Sequence, residues 1–127
     1  MGKEIPATKR ELIYNKFGGK CAYCGCEILK TNFHVDHITA LYRGTPQHML
    51  KTKKGTSHID NLNPSCVSCN SSKSTYSIEQ WRSELELKTK RLIRDIPSFR
   101  ILRRFGIIEI VEKKIVFYFE TFTKDPF

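Results

Sequence analysis

Apolar residues fall into a few patterned stretches, each bounded by residues that start or stop regular structure. Leu12, Ile13 and Phe17 follow Thr8-Lys-Arg-Glu11, a capping-box spacing, and precede Gly18-Gly19, which offers a left-handed stop; together they predict a short helix over 9–17. Phe33, Val35 and Ile38 carry the β-type residues of a short strand over 33–38. Ser77-Ile-Glu-Gln80 is a second capping box, and Ile78, Trp81, Leu85 and Leu92 mark one face of a helix running to about Arg94. Ile96-Pro97 breaks that helix, and a short basic helix over 98–105 ends at Gly106. Residues 107–111 and 115–119 have the pattern of two hairpin strands, although the turn between them lacks Gly or Asn.

Between 39 and 59 periodicity is absent. Arg43, Lys51, Lys53 and Lys54 face no acid there, and a loop of this length inside a compact domain is usually functional or mobile. The whole chain is also basic, with 22 Lys+Arg against 13 Asp+Glu and a formal charge of +9. That balance favours a polyanionic partner while leaving acidic proteins and membrane surfaces open. No apolar run approaches the ~18 residues of a membrane span, and the N-terminus lacks the apolar segment of a signal peptide. A single cytoplasmic domain over 1–127, without a membrane partner, is the expectation.

Five cysteines, an odd number, argue against a closed disulfide framework, and in a reducing compartment clustered thiols point to metal binding. Cys21-Ala-Tyr-Cys24 and Cys66-Val-Ser-Cys69 are two C-x-x-C units. Each can offer two thiolates to one tetrahedral ion at about 2.3 Å, and four such ligands close a structural Zn²⁺ site. Gly25 and Pro64 suit tight knuckle turns around the pairs. The alternatives are unrelated buried thiols or a redox pair, which would need a strand–motif–helix unit that neither shows. Cys26 is left over, as a packed residue or a minor substitute ligand.

Four short pieces recur in one order: C-x-x-C at 21–24, V-D-H-I at 35–38, D-N-L at 60–62 and C-x-x-C-N-x-x-K at 66–73. Over about residues 10–92 the sequence resembles the HNH endonucleases, the ββα-metal nucleases, in the branch with a four-cysteine zinc site. The resemblance implies that His37 is the general base and that Asn61, favoured over the neighbouring Asn63 by the D-N-L spacing, holds the loop and the orientation of that base. Asp36 and Asn70 would bind a catalytic divalent ion, Mg²⁺ or another such as Mn²⁺. The chemistry agrees, since an imidazole with a free pKa near ~6.5 accepts a proton from water at neutral pH. Mg²⁺ typically takes only one or two protein oxygens and keeps its waters. Many relatives have His where Asn70 stands, which softens the metal preference. Lys73 is expected to contact phosphate or support its helix. Of the other histidines, His34 alternates with Asp36 and is expected to pack, while His48 and His58 fall in the loop.

The expected architecture is therefore α+β: a zinc-stapled ββα-metal core over about 10–92, with a C-terminal basic helix and hairpin over about 93–127. Endonuclease cleavage of nucleic acid, DNA before RNA, is the implied activity, leaving 5′-phosphate and 3′-hydroxyl ends. Arg43, Lys51, Lys53, Lys54 and Lys73 are the candidate nucleic-acid contacts. Eight cations between 78 and 105 form a largely solvated face, some of them near phosphates. The tail aromatics Phe117, Tyr118 and Phe119 are expected in the core rather than stacked on bases. The rival reading is a zinc-stabilised binding or structural module that does not cut. Binding alone requires none of Asp36, His37, Asn61 and Asn70, and their joint presence disfavours it. One active site implies nicking, with double-strand cuts needing a dimer; sequence specificity and oligomeric state are not encoded in any motif.

Overall fold

The computed structural model describes residues 5–41, 47–49 and 54–122. Helix α1 spans Ala7–Asn15, strand β1 His34–His37, strand β2 Leu62–Ser65 and helix α2 Val67–Lys73. Helices α3 (Ile78–Asp95), α4 (Pro97–Arg104) and α5 (Tyr118–Thr121) follow. The fold is α+β. Internal contacts divide the chain into one unit that runs to Ser77 and resumes at Val116, and a second over Ile78–Ile115.

In the first unit, α1 begins two residues earlier than the capping box predicts. Pro6 occupies the cap with φ −54° and ψ 146°, and no side chain caps the helix. Its fixed φ already suits the entry to a helix, so Thr8 lies inside α1, and Glu11 pairs with Lys30 at 2.7 Å instead of closing a box. The glycine stop behaves as predicted, with Gly18 at φ +65° and Gly19 at +79°. Strands β1 and β2 pair antiparallel in the register His34↔Ser65, Val35↔Pro64, Asp36↔Asn63 and His37↔Leu62. Pro64 therefore sits in a strand and not in a knuckle turn. A two-stranded sheet consists only of edges, so its missing N–H is tolerated, and its carbonyl accepts from Ala22 N at 2.9 Å. Ile13, Cys21, Ala22, Tyr23, Ile28, Phe33, Leu62 and Phe117 form the buried core. Each large aliphatic side chain fully buried there contributes about 1.5–3 kcal/mol.

The predicted hairpin does not form: among the described residues after Gly106 there is no strand. Its ladder groups are used elsewhere. Glu86 Oε1 accepts from Ile115 N at 3.3 Å, and Arg82 donates to the Ile115 carbonyl at 2.5 Å. Tyr118 N and Phe119 N donate to the carbonyls of Tyr23 and Ala22 at 3.0 and 2.7 Å. Of the tail aromatics, Phe117 is buried in the core and Tyr118 and Phe119 are half-buried, with Phe117 and Phe119 edge-on to the Tyr23 ring at centroid distances of 5.8 and 6.0 Å.

The second unit is helical. Helix α3 begins directly after Ser77 and runs unbroken through 92/93, where the core was expected to give way to the extension. Pro97 opens α4 at its first turn, where a proline N–H is not needed, and Gly106 at φ +73° follows its end.

Candidate active site and metal centre

The two C-x-x-C units meet. The Sγ atoms of Cys21, Cys24, Cys66 and Cys69 all lie within 4.8 Å of one another, and Cys24 and Cys66 are 3.9 Å apart. That is near the ~3.8 Å tetrahedral edge implied by metal–sulfur bonds of about 2.3 Å. The first pair is presented by a knuckle in which Gly25 N donates to Cys21 O at 3.0 Å and Cys21 N to Cys26 O at 2.8 Å. Gly25, at φ +76°, makes that turn, and a Cβ there would come within 3.0 Å of the Tyr118 ring. The second pair opens α2, with Cys66 at its cap accepting from Cys69 N at 3.3 Å.

Without a cation Cys21, Cys24 and Cys69 compete for charge. The hydrogen bond from Cys69 pulls Cys21 down to about 4, the same bond pushes Cys69 up, and burial pushes Cys24 up. A divalent ion among them removes that conflict, because metal-bound thiols are deprotonated outright. The donor set fits a bound metal ion. Cys26 is exposed and lies outside this cluster.

Asp36, near the end of β1, is only 5% exposed. The Tyr23 hydroxyl donates to its Oδ2, and Lys73 Nζ lies 3.1 Å from the same oxygen. Lys73 also donates to the His37 carbonyl at 3.1 Å. One side chain of α2 thus grips both β1 residues of the Asp-His pair. Asn70, three residues before Lys73, shares that helix face. It is half-buried, and among the described residues neither its amide nor Asp36 Oδ1 takes part in a hydrogen bond. One carboxylate oxygen and one amide oxygen are a donor set that fits a hard divalent cation retaining its waters.

His37 is half-buried, its Nε2 3.5 Å from Ser57 Oγ. Asn61 ties the chain leaving β1 to the chain returning. Its Oδ1 accepts from Thr39 N at 2.9 Å, and its Nδ2 donates to Thr39 O at 3.0 Å and Thr56 O at 2.7 Å. Gly55 closes the same clasp: a Cβ there would fall 1.8 Å from Thr39 O and 2.8 Å from Asn61 Nδ2. Asn63, the other asparagine of this stretch, belongs to the core, 1% exposed and held by Lys16 Nζ at 3.0 Å.

Lys73 corrects one expectation. Its side chain is fully buried against Asp36, so it supports the helix and cannot reach a phosphate. Arg43, Lys51 and Lys53 lie outside the described residues, while Lys54 is half-buried. His34 is exposed rather than packed, and His48 is also exposed. His58 caps a turn, its Nδ1 accepting from Asp60 N at 3.3 Å.

Residues 21–75, which carry both knuckles, the Asp-His strand, Asn61 and Asn70, match the family model of the HNH endonucleases. Over that stretch the chain is similar to the HNH endonucleases. A curated relative is YoqL of Bacillus subtilis (strain 168), an SPbeta prophage-derived protein whose name assigns it to the HNH endonucleases. It is 30% identical over 91 residues, covering 61% of this chain and 34% of its own. The solved structure of the Type II-C Cas9 enzyme from Actinomyces naeslundii matches with a TM-score of 0.51 at 24% identity. That match covers 67% of this chain and 9% of the other, and it supports the fold. The chain thus spans about a third of the curated relative's length.

Three residues that hydrogen-bond around this candidate site had no motif of their own. Tyr23 sits between the knuckle cysteines and reaches Asp36. Lys9, from α1, donates to Ser57 O at 2.5 Å. Lys16, at the C-terminal cap of α1, donates to Leu62 O at 2.9 Å and Asn63 Oδ1 at 3.0 Å.

Proposed function

We propose that this chain is a metal-dependent endonuclease that hydrolyses phosphodiester bonds in nucleic acid, with DNA as its substrate ahead of RNA. The observation that carries the reading is the ββα unit itself, in which Asp36-His37 on β1 and Asn70 on α2 are joined by Lys73. His37 takes a proton from the attacking water, and the Asn61 clasp holds the backbone directly after it. Asp36 Oδ1 and the Asn70 amide oxygen hold the divalent ion, Mg²⁺ or Mn²⁺. When bound, that ion supplies positive charge to the phosphate and to the departing oxygen. The four thiolates hold a structural Zn²⁺ that keeps β1, β2 and α2 in register, with the thiols kept reduced in the cytoplasm. Residues 1–127 act as one functional domain, with the basic stretch following the nuclease core adding sequence-independent affinity for phosphates. Among the described residues no helix is long and apolar enough to cross a membrane.

A plasmid-nicking assay with and without Mg²⁺ tests the proposal. Cleavage is expected only with the divalent ion, and His37→Ala is expected to lower its rate about 10²–10⁴-fold. Zinc content and DNA binding should stay as in the wild type. Near-normal cutting by His37→Ala would refute the mechanism, and binding without any cutting would leave a zinc-stabilised binding module.

A further inference from the structure

The Tyr23 hydroxyl is held from both sides. Asn63 Nδ2 lies 3.5 Å from it as a donor, and the orientation of that amide is set by Lys16 Nζ, 3.0 Å from Asn63 Oδ1. With its oxygen facing a donor, the phenol turns its own proton toward Asp36 Oδ2. Lys16, Asn63, Tyr23 and Asp36 therefore form one run of hydrogen bonds, every donor pointing toward the carboxylate. Tyr23 is 3% exposed, and its ring is fixed edge-on by Phe117 and Phe119. Its backbone is fixed too, by Cys21 and Cys24 on either side and by Tyr118 N on its carbonyl at 3.0 Å.

A buried tyrosine needs some partner for its hydroxyl, and a carbonyl would satisfy that need. Here the partner is the one buried carboxylate among the described residues of the unit, and the bond falls on the same oxygen as Lys73. Both donors occupy Oδ2 and leave Oδ1. A carboxylate gripped by one oxygen cannot swing, and it presents the other as a single ligand atom.

We infer that Tyr23 is a positioning residue for the catalytic metal site: by holding Asp36 Oδ2, it aims Oδ1 at the divalent ion and couples the four-thiol knuckle to the reaction centre. Hydrogen bonds of this kind to a metal-binding carboxylate typically carry 10–100-fold in metal affinity or activity. The inference rests on the reading of Asp36 as a metal ligand, and one experiment separates the two. Mn²⁺ binding to zinc-loaded protein is titrated by the EPR signal of the free ion for wild type, Tyr23→Phe and Asp36→Ala. Phenylalanine keeps the ring packing and removes only the hydroxyl.

Tyr23→Phe is expected to retain wild-type zinc content and circular dichroism while binding Mn²⁺ about 10–100-fold more weakly. Asp36→Ala should lose Mn²⁺ binding at this site. In cleavage assays the Mn²⁺ concentration for half-maximal rate should rise in Tyr23→Phe, with the rate at saturating Mn²⁺ returning to within a few-fold of wild type. If Asp36→Ala loses Mn²⁺ and Tyr23→Phe binds it normally, the role given to Tyr23 is overturned while the metal site stands. If Asp36→Ala binds Mn²⁺ normally, the metal reading itself falls. A rate deficit in Tyr23→Phe that no Mn²⁺ concentration restores, or loss of its zinc, would overturn the inference by placing the hydroxyl's role in the fold.

Discussion

Lys73 and Asp36 form a buried ion pair whose partners are about 0% and 6% exposed along their side chains. Such a pair is costly to desolvate, and replacing both partners by apolar residues can be neutral, but removing one leaves an uncompensated charge. Lys73→Met should therefore destabilise the protein by about 3–5 kcal/mol. That is a large share of the ~5–15 kcal/mol that holds a domain together. Urea unfolding of zinc-loaded protein checks it. A phosphate-contacting lysine would behave in the opposite way, with unchanged stability and a flatter salt dependence of binding. From sequence the two roles of Lys73 were equally open, because burial is a property of what packs around α2 and C-N-x-x-K does not encode it. His34 is the converse case: it shares a face of β1 with the buried Asp36, which suggested packing, yet at the start of the strand it is exposed.

At the scale of elements, what could be read in advance was what depends on neighbours in sequence. The knuckles, the glycine stop after α1, the Asp-His strand and the Pro97 break all follow from local chemistry. The hairpin failed because partners far away in sequence took its ladder groups: Arg82 and Glu86 bind Ile115, and Ala22 and Tyr23 bind the backbone at 118–119. The same knuckle that gathers the thiols thus seats the tail, so its metal should support more than four cysteines. Cys66→Ser removes one of the four clustered thiols, the one whose sulfur caps α2. Because metal binding and folding are coupled in such sites, the variant should lose its zinc, the near-UV signal of Tyr23 and its cleavage activity together. Metal analysis of wild type purified without added metal should find about one Zn²⁺ per chain. A folded, zinc-free wild type would remove the staple.

For the molecule as a whole, the +9 charge is unevenly available. On α3, Arg82 pairs with Glu79 at 3.0 Å, Arg91 with Glu84 at 2.6 Å and Arg94 with Asp95 at 2.7 Å. Arg100 donates to the carbonyls of Ile93 and Arg94 at 2.7 and 2.9 Å. Much of that basic face is engaged in place; in the sequence, residues 39–59 carry four cations and no acid. Asn61 ties Thr39, two residues after His37, to Thr56, and Gly55 packs against Thr39 O in the same clasp. Each lysine that neutralises a phosphate contributes about 0.9 to the salt slope of duplex binding. Replacing Lys51, Lys53 and Lys54 with alanine should flatten log K against log[salt] by up to about 2.7. Affinity should fall about equally for unrelated sequences, since phosphate contacts carry no base information. Cleavage of saturated substrate should change little, because none of the three is assigned a role in the chemistry. An unchanged slope would assign the salt dependence to the helical unit, where Arg103 and Arg104 line a cleft of about 370 Å³.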